Sequence, residues 1–141
     1  MIKKYIWIIG LISLIGVTAA GAGSVDNDTV KTIKVAQKQK MLSQKISAGT
    51  LKASELKNIV HELEAGQKHL KRKINDPELA NLLTFLDICI GKLESAIRFP
   101  DKVSNRQTIK DMGHSIAEGS DYIKSKLSSR SRANTFVALV D

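Results

Sequence analysis

The segment 54–98, SELKNIVHELEAGQKHLKRKINDPELANLLTFLDICIGKLESAIR, holds two helix patterns and the break between them. Leu56, Val60, Leu63, Leu70 and Ile74 recur at alternating spacings of three and four, with Gln67 the one polar member of the row. This periodicity predicts an amphipathic helix from about Ser54 to Ile74. Asn75-Asp76-Pro77 interrupts it, and Asp76 with Pro77 and Glu78 reads as a helix start: a capping carboxylate, a proline at the first helical position and an acid in the first turn. A second helix then carries Leu79, Leu82, Leu83, Leu86, Ile90, Leu93 and Ile97 to Arg98, where Phe99-Pro100-Asp101 ends it.

Working outward, Asp28 or Thr29 is a plausible N-cap for a preceding helix from about Thr29 to Lys52. On the other side, Ser104-Asn-Arg-Gln107 resembles a capping box opening a fourth helix with Ile109, Met112, Ile116, Ile123 and Leu127 on one side. Beyond Ser128 the Ser/Arg-rich stretch to Asn134 reads as a loop, and Thr135 to Asp141 as a short apolar end. Helices of about 20 residues are about 30 Å long, and short connections favour antiparallel neighbours. The expected fold is therefore all-α, an antiparallel up-down four-helix bundle spanning 29–128 with a C-terminal tail at 129–141. Its aliphatic core requires no cofactor.

The chain has 141 residues, one cysteine, three histidines and a formal charge of +8. That suits one domain and excludes a disulfide framework or a Cys/His zinc cage. Met1 to Lys4 form a basic start, Tyr5 to Val17 an apolar run, and Thr18 to Ser24 a small-residue stretch. This is the layout of a signal peptide at 1–22, with Ala20-Gly21-Ala22 offering cleavage before Gly23 and 23–28 as a linker. The expected location is periplasmic or otherwise exported, with an uncleaved inner-membrane anchor as the alternative. Nucleic acid is excluded as a partner on location. Thr29 to Ser54 holds six lysines and no acid, so the excess charge sits on the first helix.

On that helix Lys31, Lys38, Lys45 and Lys52 recur every seven residues and share one stripe, which reads as a solvated face. Val35, Leu42, Ile46 and Ala53, with Gln39, form a seam toward the bundle. About 150° away at coiled-coil spacing, Val30, Ile33, Gln37, Lys40, Gln44, Ser47 and Leu51 form a second seam, apolar at both ends and polar in the middle. Two readings stand for it. In one, the seam meets its own copy in a homodimer, with Lys40, Gln37 and Gln44 closing on a polar pocket where an anion offsets the repulsion of two cations. In the other, the polar residues face solvent or set register.

The segment Ala36-Gln-Lys-Gln-Lys-Met-Leu-Ser-Gln-Lys-Ile46 resembles the signature of the type IV pili methyl-accepting chemotaxis transducer N-terminal domain (PilJ-type), which runs approximately A-G-R-Q-R-M-L-S-Q-R followed by Ile or Met. A related segment occurs in the periplasmic sensor domain of nitrate/nitrite sensor kinases. Ala36, Gln39, Met41, Leu42, Ser43, Gln44 and Ile46 match identically. The resemblance implies an extracytoplasmic sensor domain that dimerises through its first helix, and it puts Lys40 where the nitrate sensors have an anion-contacting arginine. It makes Lys40, Gln37, Gln44, Met41 and Ser47 the candidate ligand-binding residues. Gln37 departs from the family's glycine, and Lys38, Lys40 and Lys45 from its arginines; lysine keeps the charge but lacks the planar fork. The expected partners are a second copy, a small anion, and a membrane receptor or envelope protein.

No catalytic pattern accompanies these features. His61-Glu62-Leu63-Glu64-Ala65 has alanine where a zinc-protease helix needs its second histidine. His61 and His69 lie about two turns apart, and Asp111 with His114 lacks a nucleophile. Cys89, between Leu86 and Leu93, reads as a small buried hydrophobe. The function expected is a non-catalytic binding domain. The alternative is an interaction module docking on an acidic protein or anionic membrane through Lys31, Lys38, Lys45 and Lys52; a metal or haem carrier of the bundle type is a weaker third.

Overall fold

The computed structural model describes residues 27–140, with side chains through Arg132. The expected leader at 1–22 lies outside the described residues, as does the linker up to Asp26. Four helices and no strand occur among the described residues: α1 (Asn27–Ala48), α2 (Ala53–Lys73), α3 (Pro77–Ala96) and α4 (Val103–Val140). None of them is long and apolar enough to cross a membrane.

The middle helices start and stop as their sequence predicts. Asp76 Oδ1 accepts from the Glu78 backbone N–H at 2.9 Å with Pro77 opening α3. Lys71, Arg72 and Lys73 occupy the last turn of α2, where the helix dipole favours cations. The outer helices differ from expectation. α1 begins at Asn27, inside the expected linker, and ends at Ala48 rather than Lys52, because Gly49 takes φ +74° and its N–H bonds the Ile46 carbonyl at 3.1 Å. A left-handed residue ends a helix, and glycine takes that conformation without a Cβ penalty.

At α4 the expected capping box does not form. Ser104 already lies within the helix, where its carbonyl accepts from Thr108 Oγ1 at 3.0 Å, while Gln107 Nε2 donates to Asp111 Oδ1 at 2.9 Å. The turn before it is held by Asn105 Nδ2 on the Phe99 carbonyl at 2.9 Å. Nor is 129–134 a loop: α4 runs on through it for 38 residues in all, about 57 Å. Ion pairs explain the continuation. Arg130 reaches both Asp76 and Glu78 at the start of α3, and Lys126 meets Glu78 at 2.9 Å. Lys126 also lies over the Tyr122 ring, and its hydrogen bond with Glu78 leads the causes that push its ammonium above its ordinary pKa.

α1 packs on α2 and α4, and so does α3, in a bundle-like arrangement. The expected α2 row of Leu56, Val60, Leu63, Gln67, Leu70 and Ile74 is buried throughout. On α3 Leu79, Leu83, Leu86, Ile90 and Leu93 are buried and Leu82 and Ile97 half-buried; on α4 Ile109, Ile116 and Ile123 are buried with Met112 and Leu127 at the margin. Each large aliphatic side chain taken fully out of water stabilises by about 1.5–3 kcal/mol, so this core carries the fold. Phe85, Phe99 and Tyr122, the aromatics whose side chains are described, are all exposed.

Candidate functional site on the first helix

The face that α1 turns inward is Thr32, Ala36, Gln39, Ser43 and Ile46, spaced four, three, four, three. This corrects the expected inward seam. Gln39 and Ile46 belong to it, whereas Val35 and Leu42 are half-buried on its flank and Ala53 is an exposed residue of α2. Close backbone approach explains the rotation. A Cβ placed on Gly113 of α4 would meet the Ser43 carbonyl oxygen and the Ser47 nitrogen at 2.9 Å each. The backbones approach closely there, so apart from Ile46 the enclosed positions of α1 are small or polar.

The second seam consequently borders α4 of the same chain. Lys40 is half-buried and its Nζ donates to Asp121 Oδ1 at 2.9 Å. This is the one ion pair joining α1 to α4 among the described residues. Ser47 is half-buried, with its hydroxyl turned back to the Gln44 carbonyl at 2.9 Å. Gln37 is half-buried too, and its Oε1 is enclosed without a hydrogen bond. Gln44 and Met41 are exposed. Thus Lys40, Ser47 and Gln37 gather on the α4 side of α1, and the other two candidates turn outward.

The lysine stripe is shorter than its heptad spacing suggested. Lys31, Lys38 and Lys45 are exposed on α1, but Lys52 lies past Gly49 and forms the N-cap of α2. Lys38 meets Glu62 of α2 at 3.5 Å; Lys31, Lys34 and Lys45 meet no carboxylate among the described residues.

Beneath Lys40 lies a polar layer that local sequence reading did not assemble. Gln67 Nε2 donates to the Leu83 carbonyl at 2.9 Å, and Gln39 Nε2 donates to Gln67 Oε1 at 3.2 Å. A backbone carbonyl only accepts, so it fixes the Gln67 amide, which fixes the Gln39 amide in turn. Gln39 Oε1 is left enclosed without a partner, as are the hydroxyls of Ser43 and Ser120. Other helical hydroxyls here fall back on their own helix: Thr32 on the Asp28 carbonyl at 2.7 Å and Thr84 on that of Ala80 at 3.1 Å. Ser43 and Ser120 do not. Because Lys40 pairs with Asp121, their sequence neighbours Gln39 and Ser120 stand at the same height in the bundle. The signal that pointed this way was polarity within apolar rows, at Gln39 and Gln67.

Elsewhere two of the histidines are surface features, while the third, His69, is half-buried with its Nε2 enclosed and without a hydrogen bond. His61 Nδ1 lies 3.6 Å from Glu64, and His114 Nε2 lies 3.1 Å from Glu118, all along single helices. Cys89 is buried at 2% exposure, and burial pushes its thiol pKa up, with Lys92 opposing in part. No family model, curated protein or solved structure matches the chain.

Proposed function

We propose that the chain is an exported, non-catalytic, PilJ-type sensor-like domain that recognises a small anion through the first helix and dimerises there. The observation that carries the reading is Lys40, a lysine withdrawn from the solvated stripe and held at the α1–α4 boundary by one carboxylate, Asp121. An anion that takes Lys40 competes with Asp121, and so binding at the site is coupled to the α1–α4 contact. An antiparallel up-down order suits this coupling. It is supported by contacts that set opposite ends of helices side by side, Asp28 at the start of α1 with Lys73 at the end of α2 and Gly49 after α1 beside Lys110 near the start of α4, and by Glu78 at the start of α3 with Lys126 in the second half of α4.

Thermal-shift titration of the mature protein with nitrate and with phosphate tests the reading. One of these anions should raise the melting temperature of the wild type, leave Lys40→Ala unchanged, and bind Asp121→Asn more tightly because the competing carboxylate is gone. No stabilisation by either, or equal stabilisation of Lys40→Ala, overturns it. Sedimentation as a monomer at high micromolar concentration would remove the dimer, and an intact leader on the periplasmic protein would favour the anchored form.

A second reading rests on Lys31, Lys34 and Lys45, which stand exposed and without carboxylate partners on one helix. Such a face suits an acidic protein or anionic lipid surface. Salt-sensitive binding to phosphatidylglycerol vesicles, lost on neutralising those lysines but kept in Lys40→Ala, would favour this reading over the first.

A further inference from the structure

Toward the α2–α3 turn, Lys71 of α2 meets Asp87 of α3 at 2.7 Å across the groove between the two helices. At the other end a cleft of 520 Å³ opens between the first turns of α2 and the last turn of α3. Lys57 and His61 line it from α2, Glu94 and Arg98 from the α3 side, and Val60 and Ile97 form its floor. Charges of both signs are present there, yet among the described residues Lys57, Arg98 and Glu94 make no ion pair, and the one pair on this wall is His61 with Glu64 at 3.6 Å. The floor is apolar and closed, with Val60 3% exposed and Ile97 half-buried.

Lys57 lines the cleft from the α2 wall and Arg98 from the α3 side, and two cations on opposite walls repel unless an anionic group lies between them. Glu94 precedes Arg98 by four residues, about one helical turn away on the same wall. The apolar floor runs between the two poles. A volume of this size fits small-molecule sites, in which a few charged groups orient a ligand over apolar walls.

We infer that this cleft binds a small zwitterion with a compact aliphatic side chain, of the free α-amino acid class. The carboxylate lies between Lys57 and Arg98, the ammonium turns to Glu94, and the side chain covers Val60 and Ile97. The site is separate from Lys40 and stands whether or not an anion binds there. Exposed ion pairs contribute at most about 1 kcal/mol each, which sets the expected affinity at roughly millimolar.

Amide-resolved NMR titration with L-leucine tests this site on the folded chain. Leucine should shift resonances of residues 57–64 and 94–98, and Arg98→Ala or Glu94→Gln should weaken binding by up to about fivefold. Both side chains are exposed, so neither variant endangers the fold. 4-Methylpentanoate, lacking the ammonium, and 3-methylbutylamine, lacking the carboxylate, should each bind more weakly than leucine, and glycine should bind more weakly for want of the floor contact. Lys40→Ala should bind leucine as wild type does, so failure here and failure of the anion reading are separately visible. Absence of shifts at millimolar leucine, or unchanged affinity in Arg98→Ala, overturns the assignment; equal binding of 4-methylpentanoate overturns the role of Glu94.

Discussion

Helices α1 and α3 pack on the same two neighbours and are built in opposite ways. α3 buries Leu79, Leu83, Leu86, Cys89, Ile90, Leu93 and Ala96, whereas α1 buries Thr32, Ala36, Gln39, Ser43 and Ile46. Ile46 is the single large aliphatic on the inner face of α1. Outside, the contrast reverses: α1 presents lysines, while α3 presents Phe85 and Ile88, both exposed. The fold is anchored by the helix that buries hydrocarbon. The helix that holds the polar layer and Lys40 buries only Ala36 and Ile46 as apolar side chains, sets Val35 and Leu42 against the core edge, and is tied down by ion pairs at Asp28, Lys38 and Lys40 and two amide hydrogen bonds in series. Elements with few buried apolar side chains open at lower free energy than the core, and α1 has that composition.

The largest expected effect separates the two helices directly. Leu93→Ala on α3 removes a fully enclosed side chain and should cost about 2–5 kcal/mol in urea unfolding. Ser43→Ala on α1 removes an enclosed hydroxyl with no partner and should leave stability unchanged or raise it by up to about 1 kcal/mol. Native-state hydrogen exchange should show α1 amides opening before those of α3. Equal protection of the two helices would break the comparison.

Gly113→Ala comes next. Its Cβ would press on the α1 backbone at 2.9 Å and on Ile46 Cγ2 at 3.0 Å, so the two helices must separate. Overpacking of this kind costs about 1–3 kcal/mol, and the loss should appear as faster exchange in α1 with α3 little changed. A variant as stable as wild type would show that α1 already has room to move.

The polar layer gives a smaller and more diagnostic effect. Gln39→Leu leaves Gln67 Oε1 enclosed without its donor and should cost about 1–3 kcal/mol. Gln39→Leu with Gln67→Leu removes both amides and leaves only the Leu83 carbonyl, which keeps its helical bond. The double variant should therefore lose less than the sum of the singles, and a double-mutant cycle reads the coupling. Additive losses would show that the amides do not act as a chain.

These variants also mark where sequence reading reached and where it stopped. The α2 and α3 rows were legible because large aliphatics at spacings of three and four are both the pattern and the core. On α1 the same rule selected Val35 and Leu42, which flank the buried face, because enclosure there comes from the bare backbone of Gly113 against Ser43 and Ser47. Such contacts carry no periodicity. Lys40 was legible as the lysine off the stripe, but its partner Asp121 lies 81 residues away with no local signal linking them. The helical end of α4 was hidden for a similar reason: Ser-rich sequence disfavours helix locally, and Arg130 on Asp76 and Glu78 overrides it.

The smallest effect is a pH dependence that belongs to α3 alone. The Cys89 thiol is enclosed between apolar neighbours, and burial raises its pKa above the ordinary thiol value. A raised pKa means that the folded state holds the proton more tightly than the unfolded state. The associated stability is complete below the unfolded pKa and declines as pH rises from about 9.0 through the folded value. Stability measured from neutral to strongly alkaline pH should thus fall more steeply for wild type than for Cys89→Ala, with the two slopes equal below pH 8 or so. Alkylation by iodoacetamide should report the same enclosure, slow in the native protein and fast in urea. Rapid native labelling would mean that α3 opens as readily as α1, and the contrast between the hydrocarbon-burying helix and the polar one would fall with it.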